Sequence, residues 1–457
     1  MDSLKPKVTI LECSRDADEL CALAARRSFT AQPVQAVLDE VKGDPEKAKK
    51  LLRNVVRMGH HSVIEHANFT FALEDASVFV EQFLIEFRLA AYTVKSRRYV
   101  NYSGSGFVTP SSFEAPEIKE KYEAFVKTCF DTYNYLIENG VKVEDARFIL
   151  PYSFKTALIC TMDARELMHF IQACTKGRGA RFEEIRATGK ALLEAVKPLA
   201  PVLFNEMDAL EALPDDKELK FNAILGEGKG QAHAHSVELL ACTEDPDGTV
   251  AAIAARSHLG ESVALDDKQK KQVIRALVED ARPRELEQAW FTFRLNGMTL
   301  PILTHFTRHR MHSLLVPSFT EFSKSSKFVE PPSVYSKPEL KEKFEEIVEA
   351  SRRFHAFLKE EGVPREDWVY AYLSGNLVDV ITTMNCRELL HFLKLRTCAV
   401  AQWEIRDYAE EMLRLCKEAA PVIFENAGPS CVLRKVCPEG KRSCGRWKAI
   451  EGARLAA

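Results

Sequence analysis

Short apolar runs and longer mixed ones follow one another in a fixed order along the first half of the chain. Residues 8–11 read as a strand, and 16–27 and 45–58 as helices with an apolar stripe. Phe69-Thr70-Phe71-Ala72-Leu73 is rich in β-prone residues and predicts a second strand. The apolar stretch 76–89 predicts a helix, 117–139 a long charged helix, and 164–172 followed by 180–196 two more. The second half opens the same way, with a strand over 237–240, and carries an apolar run from Met298 to Phe306. Strands mixed with helices, without steady alternation, predict an α+β fold in which each mixed sheet packs with helices.

The two halves are copies. Phe69-Thr70-Phe71 returns as Phe291-Thr292-Phe293, and Arg165-Glu166-Leu167 as Arg387-Glu388-Leu389, both 222 residues on. Ala24-Ala25-Arg26 answers Ala254-Ala255-Arg256 at 230, and Pro201-Val202-Leu203-Phe204 answers Pro421-Val422-Ile423-Phe424 at 220. An offset this steady, in unbroken order, marks a tandem duplication. The join is placed in the glycine-rich 226–230, giving domains 1–225 and 232–457.

Composition narrows the partners. The 457 residues are 46% apolar, enough for two cores, and the formal net charge is -3. That balance speaks against nucleic acid held by bulk charge, so an anionic ligand needs a local arginine cluster. No run approaches the ~20 apolar residues of a membrane helix, and Met-Asp-Ser-Leu-Lys lacks a signal core. The expectation is a cytoplasmic protein with neither membrane nor nucleic acid as partner.

The candidate chemistry is cationic. Arg308-His309-Arg310 follows the apolar run, and Ser318 comes eight residues after the last arginine. The first copy has Glu86-Phe87-Arg88 at that place, but it keeps Ser96-Arg97-Arg98 where the second has Ser318-Phe319-Thr320. Arginines at such junctions grip phosphate or a carbonyl edge through paired hydrogen bonds, although surface arginines are the commoner occurrence. Glu144 and Arg147 share a helix face if their segment is helical, as an ordinary ion pair would. Arg165 with His169, and Arg387 with His391, stand four apart in apolar stretches, where a buried arginine needs a partner. His61 and Glu65 have metal-ligand spacing, but no Cys/His set completes them, so a polar loop is the better reading. Cys431, Cys437 and Cys444 crowd the C-terminal tail and could hold zinc with a fourth ligand, but they form no tight C-x-x-C pair, and no metal site is assigned to them. No cysteine has the setting of a nucleophile.

Taken together these segments resemble the flavin-dependent thymidylate synthases. Arg308-His309-Arg310 with Ser318 matches the family's RHR-x7-S. The stretch from Gly59 to His66 followed by Phe69-Thr70-Phe71 resembles GHxSxxEHxxFTF, and Glu144 to Pro151 resembles ExARxxLP. Asn385 to Arg396 resembles NxRxLxxFLxLR, and Ala401 to Arg406 reads AQWEIR. The resemblance runs over nearly the whole chain, once per half. It implies two tandem family-like domains, FAD as cofactor, deoxyuridylate as substrate, and methylenetetrahydrofolate and NADPH as co-substrates.

Family sites take residues from neighbouring subunits, which implies a division of labour here. Ser96, Arg98 and Arg147 would grip the nucleotide. Arg308 would touch both nucleotide and flavin, and Arg396 would stabilise the deprotonated uracil ring as the catalytic cation. His60, Ser62, Glu65, His309, Arg310, Asn385, Arg387 and His391 would line the cofactor. At the reciprocal positions Glu86, Phe87 and Cys174 replace the triplet and late arginine, and Thr320 and Val369 the nucleotide arginines. Sites are therefore expected only between an N-half and a C-half, in a homodimer that forms a pseudo-tetramer. His305 in place of a glutamine, and Thr93-Val94 and Leu315-Val316 in place of NE, leave two alternatives. One is methylation of another uracil nucleotide; the other is a non-catalytic flavin- or nucleotide-binding protein.

Overall fold

The structure, a computed structural model, describes residues 4–205, 207, 217–225, 233–320 and 327–456; the expected join at 226–230 lies outside them. The chain forms two compact units. The first is Met1–Gly230 with Ser318–Lys324 and Phe328–Asn376, and the second is Gln231–Pro317 with Ser325–Lys327 and Leu377–Ala457. Among the described residues no helix is long and apolar enough to cross a membrane.

Each unit is built on a four-stranded antiparallel sheet. In the first, β1 (Lys7–Cys13), β2 (Asn68–Ser77), β3 (Ala90–Val94) and β4 (Lys155–Asp163) lie in the order β1-β2-β4-β3. In the second, β5 (Ser236–Cys242), β6 (Trp290–Thr299), β7 (His312–Leu315) and β8 (Leu377–Asn385) lie in the order β5-β6-β8-β7. Register repeats with topology: Phe69 faces Met162 as Phe291 faces Met384, and Ala90 faces Met162 as His312 faces Met384. Phe69, Phe71 and Leu73 alternate into one core and Phe291, Phe293 and Leu295 into the other. Thr70 and Thr161 pair hydroxyls across the sheet at 2.9 Å, and Thr292 and Thr383 do the same.

The same caps close both copies. The N–H groups of Val202 and Leu203 donate to Asp18 at 2.8 and 3.1 Å, and those of Val422 and Ile423 donate to Asp247 at 2.8 and 2.9 Å. Each carboxylate satisfies two backbone donors that would otherwise be lost to burial. Glu184 accepts from the Ser77 backbone and hydroxyl at 2.8 and 2.6 Å, as Glu404 accepts from Thr299 at 2.9 and 2.7 Å.

Two expectations need correction. The helix expected over 76–89 spans only Val78–Leu84, because the chain turns to reach β3. The Tyr92 hydroxyl sits 2.8 Å from the Leu84 carbonyl and 2.7 Å from that of Phe87, within donating reach of a carbonyl that a continuing helix would have used. The helix expected over 180–196 begins at Glu183.

The first unit also takes in the long helix of the second copy. Phe354, from Pro338–Glu360, stacks on Phe125 of Pro116–Glu138 at 5.2 Å and on Tyr122 at 5.9 Å. Beside them, Pro151 bridges Leu373, its own counterpart 222 residues on. Tyr152 N–H donates to the Tyr372 carbonyl at 2.7 Å, and Ser374 N–H donates to that of Leu150 at 2.9 Å. These two bonds exchange when the copies are exchanged, so a local twofold runs through this contact.

Tyr370 adds a third donor to Glu184, at 3.0 Å. Burial nevertheless pushes this carboxyl up from 4.5 to about 7. The folded state then holds a proton that the unfolded state has released, so this group's contribution to stability falls as pH rises from 4.5 to about 7. Glu184→Gln is expected to flatten that part of the thermal-unfolding profile against pH. Parallel profiles for parent and variant would show that Glu184 carries no such proton.

Candidate functional site

The second unit assembles the cationic triplet. The Leu300–Thr307 helix ends directly before Arg308-His309-Arg310, and β7 starts at His312. The helix stop turns alternate side chains apart, leaving Arg308 and Arg310 exposed and His309 4% exposed. Arg396, in the last turn of the Cys386–Arg396 helix, donates from Nε to His309 Nε2 at 3.0 Å. An imidazole nitrogen that accepts carries no proton, so the proton sits on Nδ1 and is donated to Glu388 at 3.1 Å. Burial first, then Arg396 and His391, push His309 down to about 3. The result is a relay of guanidinium, neutral imidazole and carboxyl, with Glu388 raised by burial. The other Arg396 nitrogens reach His305, one at 3.5 Å from Nδ1 and one at 3.4 Å from its carbonyl. His305, the departure from the family's glutamine, thus helps to brace that arginine.

The first copy has the same scaffold without the relay. Phe87 stands where His309 does and packs edge-on against Phe170 at 4.9 Å, as His309 packs on Phe392 at 4.9 Å. Cys174, the counterpart of Arg396, is buried, and a Cβ added at Gly189 would lie 2.4 Å from its Cβ. Glu86, the counterpart of Arg308, pairs with Arg178 at 2.6 Å.

The first unit holds the other residue set. Arg98 follows β3 and donates from Nε to Glu144 at 2.7 Å, while its backbone N–H donates to the Ser96 hydroxyl at 3.3 Å. Arg147 caps the Val143–Ala146 helical turn and is 3% exposed. The sequence pairing of Glu144 with Arg147 is thereby corrected: the backbone turns into a 3-10 segment at Arg147, and Glu144 reaches Arg98 instead. Ser96, Arg98 and Glu144 form one partly buried polar cluster.

In the same unit the reciprocal segment is closed by its own side chains. Phe319, the counterpart of Arg97, sits edge-on to Phe79 at 4.8 Å and to Phe182 at 6.1 Å. Arg181 donates to the Ser318 hydroxyl at 3.0 Å, and Arg365 to the Thr320 carbonyl at 3.2 Å. Val369, the counterpart of Arg147, is buried.

The remaining predicted residues fall on two helix starts and one tight turn. His60, Ser62 and Glu65 are exposed on or beside the 3-10 segment His61–His66. Glu65 pairs with Arg165, as Glu287 pairs with Arg387 in the second copy. Arg165 is exposed, not buried, and its partner is Glu65 rather than a residue of its own helix. Asn385 is the N-cap of the Cys386–Arg396 helix, accepting from Glu388 N–H at 2.9 Å. His391 is exposed, 5.9 Å from the His309 ring. Sequence reasoning overlooked Glu388, although it stands one residue after the arginine of the repeated Arg-Glu-Leu and recurs as Glu166.

The family model described as "Thymidylate synthase complementing protein" matches residues 9–202 and 238–422. The flavin-dependent thymidylate synthase of Geobacter sulfurreducens is 36% identical over 205 residues, covering 44% of this chain and 86% of its own. That of Nitratidesulfovibrio vulgaris is 32% identical over 234 residues, covering 46% and 94%. Among solved structures, the UMP/dUMP methylase PolB from Streptomyces cacaoi, bound with 5-Br dUMP, aligns at 24% identity. It covers 45% of this chain and 95% of that one, with a TM-score of 0.39.

Proposed function

The chain belongs to the thymidylate synthase complementing protein family, matched once in each half, and from that premise we propose that it methylates deoxyuridylate at sites that combine the two copies. Its relatives are flavin-dependent thymidylate synthases, so it is an enzyme of the flavin-dependent methyltransferase class. The supporting observation is the Arg396–His309–Glu388 relay, intact in the second copy and replaced by Cys174 and Phe87 in the first. The first copy keeps Ser96, Arg98 and Arg147, whose counterparts are spoiled in the second. Decay without selection would not spare complementary sets.

In this reading Ser96, Arg98 and Arg147 bind the nucleotide phosphate and ring edge, with Glu144 holding Arg98 in place. Arg396 faces the uracil and stabilises its deprotonated ring nitrogen, which makes the adjacent carbon nucleophilic. His309 stays neutral, so it orients Arg396 without competing for the ring's negative charge. The donor set also suits an anionic dinucleotide: exposed Arg308 and Arg310 in one copy, with Arg387 and His391 nearby in sequence to Asn385. Bound FAD would supply hydride, methylenetetrahydrofolate the carbon and NADPH the reducing equivalents. Buried thiols such as Cys174 and Cys386 are pushed up by burial and are poor nucleophiles, consistent with chemistry that uses no enzyme cysteine. A homodimer would then offer two working sites and not four.

The test is thymidylate formation by purified protein given deoxyuridylate, FAD, methylenetetrahydrofolate and NADPH, with uridylate as a parallel substrate. Turnover with about one flavin per chain supports combined sites, whereas about two per chain would mean that both copies bind independently. Arg98→Ala and Arg396→Ala are each expected to lower turnover by about 10²-fold or more. Activity recovered on mixing the two would place the site across chains. A flavin-bound protein inert with both nucleotides would overturn the assignment.

A further inference from the structure

The segment that carries Ser96 and Arg98 is anchored from inside the first unit. Exposure alternates along it: Ser96 and Arg98 are half-buried, while Arg97 between them is 6% exposed. The Arg97 guanidinium donates to Glu81 at 2.9 Å, and the other carboxylate oxygen of Glu81 accepts from the Thr156 hydroxyl at 2.8 Å. Glu81 lies on the Val78–Leu84 helix and is fully buried, and Thr156 lies on β4. The ends of the segment are tied separately. Lys95 N–H donates to the Ala157 carbonyl at 3.0 Å, the Tyr102 hydroxyl donates to the Lys95 carbonyl at 2.8 Å, and Tyr102 N–H donates to the Tyr133 hydroxyl at 3.2 Å.

The second copy lacks these three polar groups. Leu303, Phe319 and Val378 stand 222 residues after Glu81, Arg97 and Thr156, and all three are buried. Both sheets share one strand order, so the fold does not require the polar set. What accompanies it is the nucleotide arginine: the first copy keeps Arg98, and the second has Thr320. A buried ion pair is also a weak source of stability, because desolvating both charges offsets most of their attraction. Its directional hydrogen bonds fix a position more sharply than apolar packing does.

We propose that Glu81, Arg97 and Thr156 are positioning residues that hold Ser96 and Arg98 in their nucleotide-gripping geometry before substrate arrives. This rests on the reading of Arg98 as a nucleotide ligand. Arg97 stands between the two ligands in the chain, so a shift of its guanidinium moves both. Fixing it against Glu81 removes freedom that the nucleotide would otherwise have to quench on binding. The Val78–Leu84 helix leads to Glu86-Phe87-Arg88, which does not carry the cationic triplet. Glu81 gives that helix a different task, at a position where the second copy has Leu303.

The test compares two variants of the full chain. One replaces the network by apolar groups: Glu81→Leu with Arg97→Met and Thr156→Val. The other is Glu81→Gln, which still accepts from Arg97 but leaves its charge uncompensated. The triple variant should keep or raise the thermal midpoint while KM for deoxyuridylate rises about tenfold and kcat changes less. Glu81→Gln should lower the midpoint yet leave KM near the parental value. A merely structural role would move KM and the midpoint together. Hydrogen exchange over Ser96–Val100, measured without ligand, should be faster in the triple variant than in the parent. Parental exchange or parental KM in the triple variant would overturn the inference, and so would a large fall in its thermal midpoint. A parent that turned over no nucleotide would instead overturn the assigned function, and ligand-free exchange would still decide whether the network holds the segment.

Discussion

Replacing Arg396 with alanine is expected to lower kcat by about 10²–10³, the usual cost of removing one prepositioned electrostatic donor. The cation is placed before substrate arrives: His309 takes its Nε and His305 brackets its other nitrogens. A donor already oriented spends little free energy on reorganisation during the reaction. The effect should fall on kcat more than on KM for deoxyuridylate, because the charge that Arg396 meets is largest when the ring is deprotonated. Arg396→Lys should rescue only partly, since an ammonium cannot bond to His309 and His305 through a planar fork. Glu86→Gln, in the first copy at the place that Arg308 holds in the second, should leave kcat near the parental value. Steady-state kinetics on the three variants decide the matter. Equal losses in Arg396→Ala and Glu86→Gln would mean that both copies do chemistry.

The legible parts of this chain are those fixed by repetition. A steady offset reveals the duplication without reference to any element, and the two sheets share order and register in consequence. The Phe69-Thr70-Phe71 strand could be read because its alternation is local. β3 could not, because Ala90-Ala91-Tyr92-Thr93-Val94 continues an apolar helical pattern, and only the Tyr92 hydroxyl reveals the turn. The site was legible as residue types and illegible as pairings. Glu144 and Arg147 share a local spacing, yet Arg98, 46 residues away, takes the carboxylate. The neutral state of His309 depends on burial and on a guanidinium 87 residues later, neither of which local sequence records. Counterparts compared between the copies recover part of this: Phe87 shows that the His309 position is an aromatic slot with one added polar task.

That comparison makes His309→Phe the most informative second variant. The chain already contains its packing solution. Phe87 meets Phe170 at the ring distance at which His309 meets Phe392, so a phenyl ring at 309 should fit without opening a cavity. What it removes is polar: Arg396 loses the acceptor on its Nε, and Glu388 loses the Nδ1–H. Leaving a buried carboxyl unpaired costs about 1–3 kcal/mol, which should appear as a modest drop in the thermal midpoint. Activity should fall much further, by about 10² in kcat, because the guanidinium is no longer held by a second hydrogen-bonded group. His309→Gln, which can accept from Arg396 but packs less well, should reverse the ranking, with more activity and less stability than His309→Phe. If His309→Phe kept parental kcat, the relay would be a structural brace, and the position of Arg396 would not depend on His309.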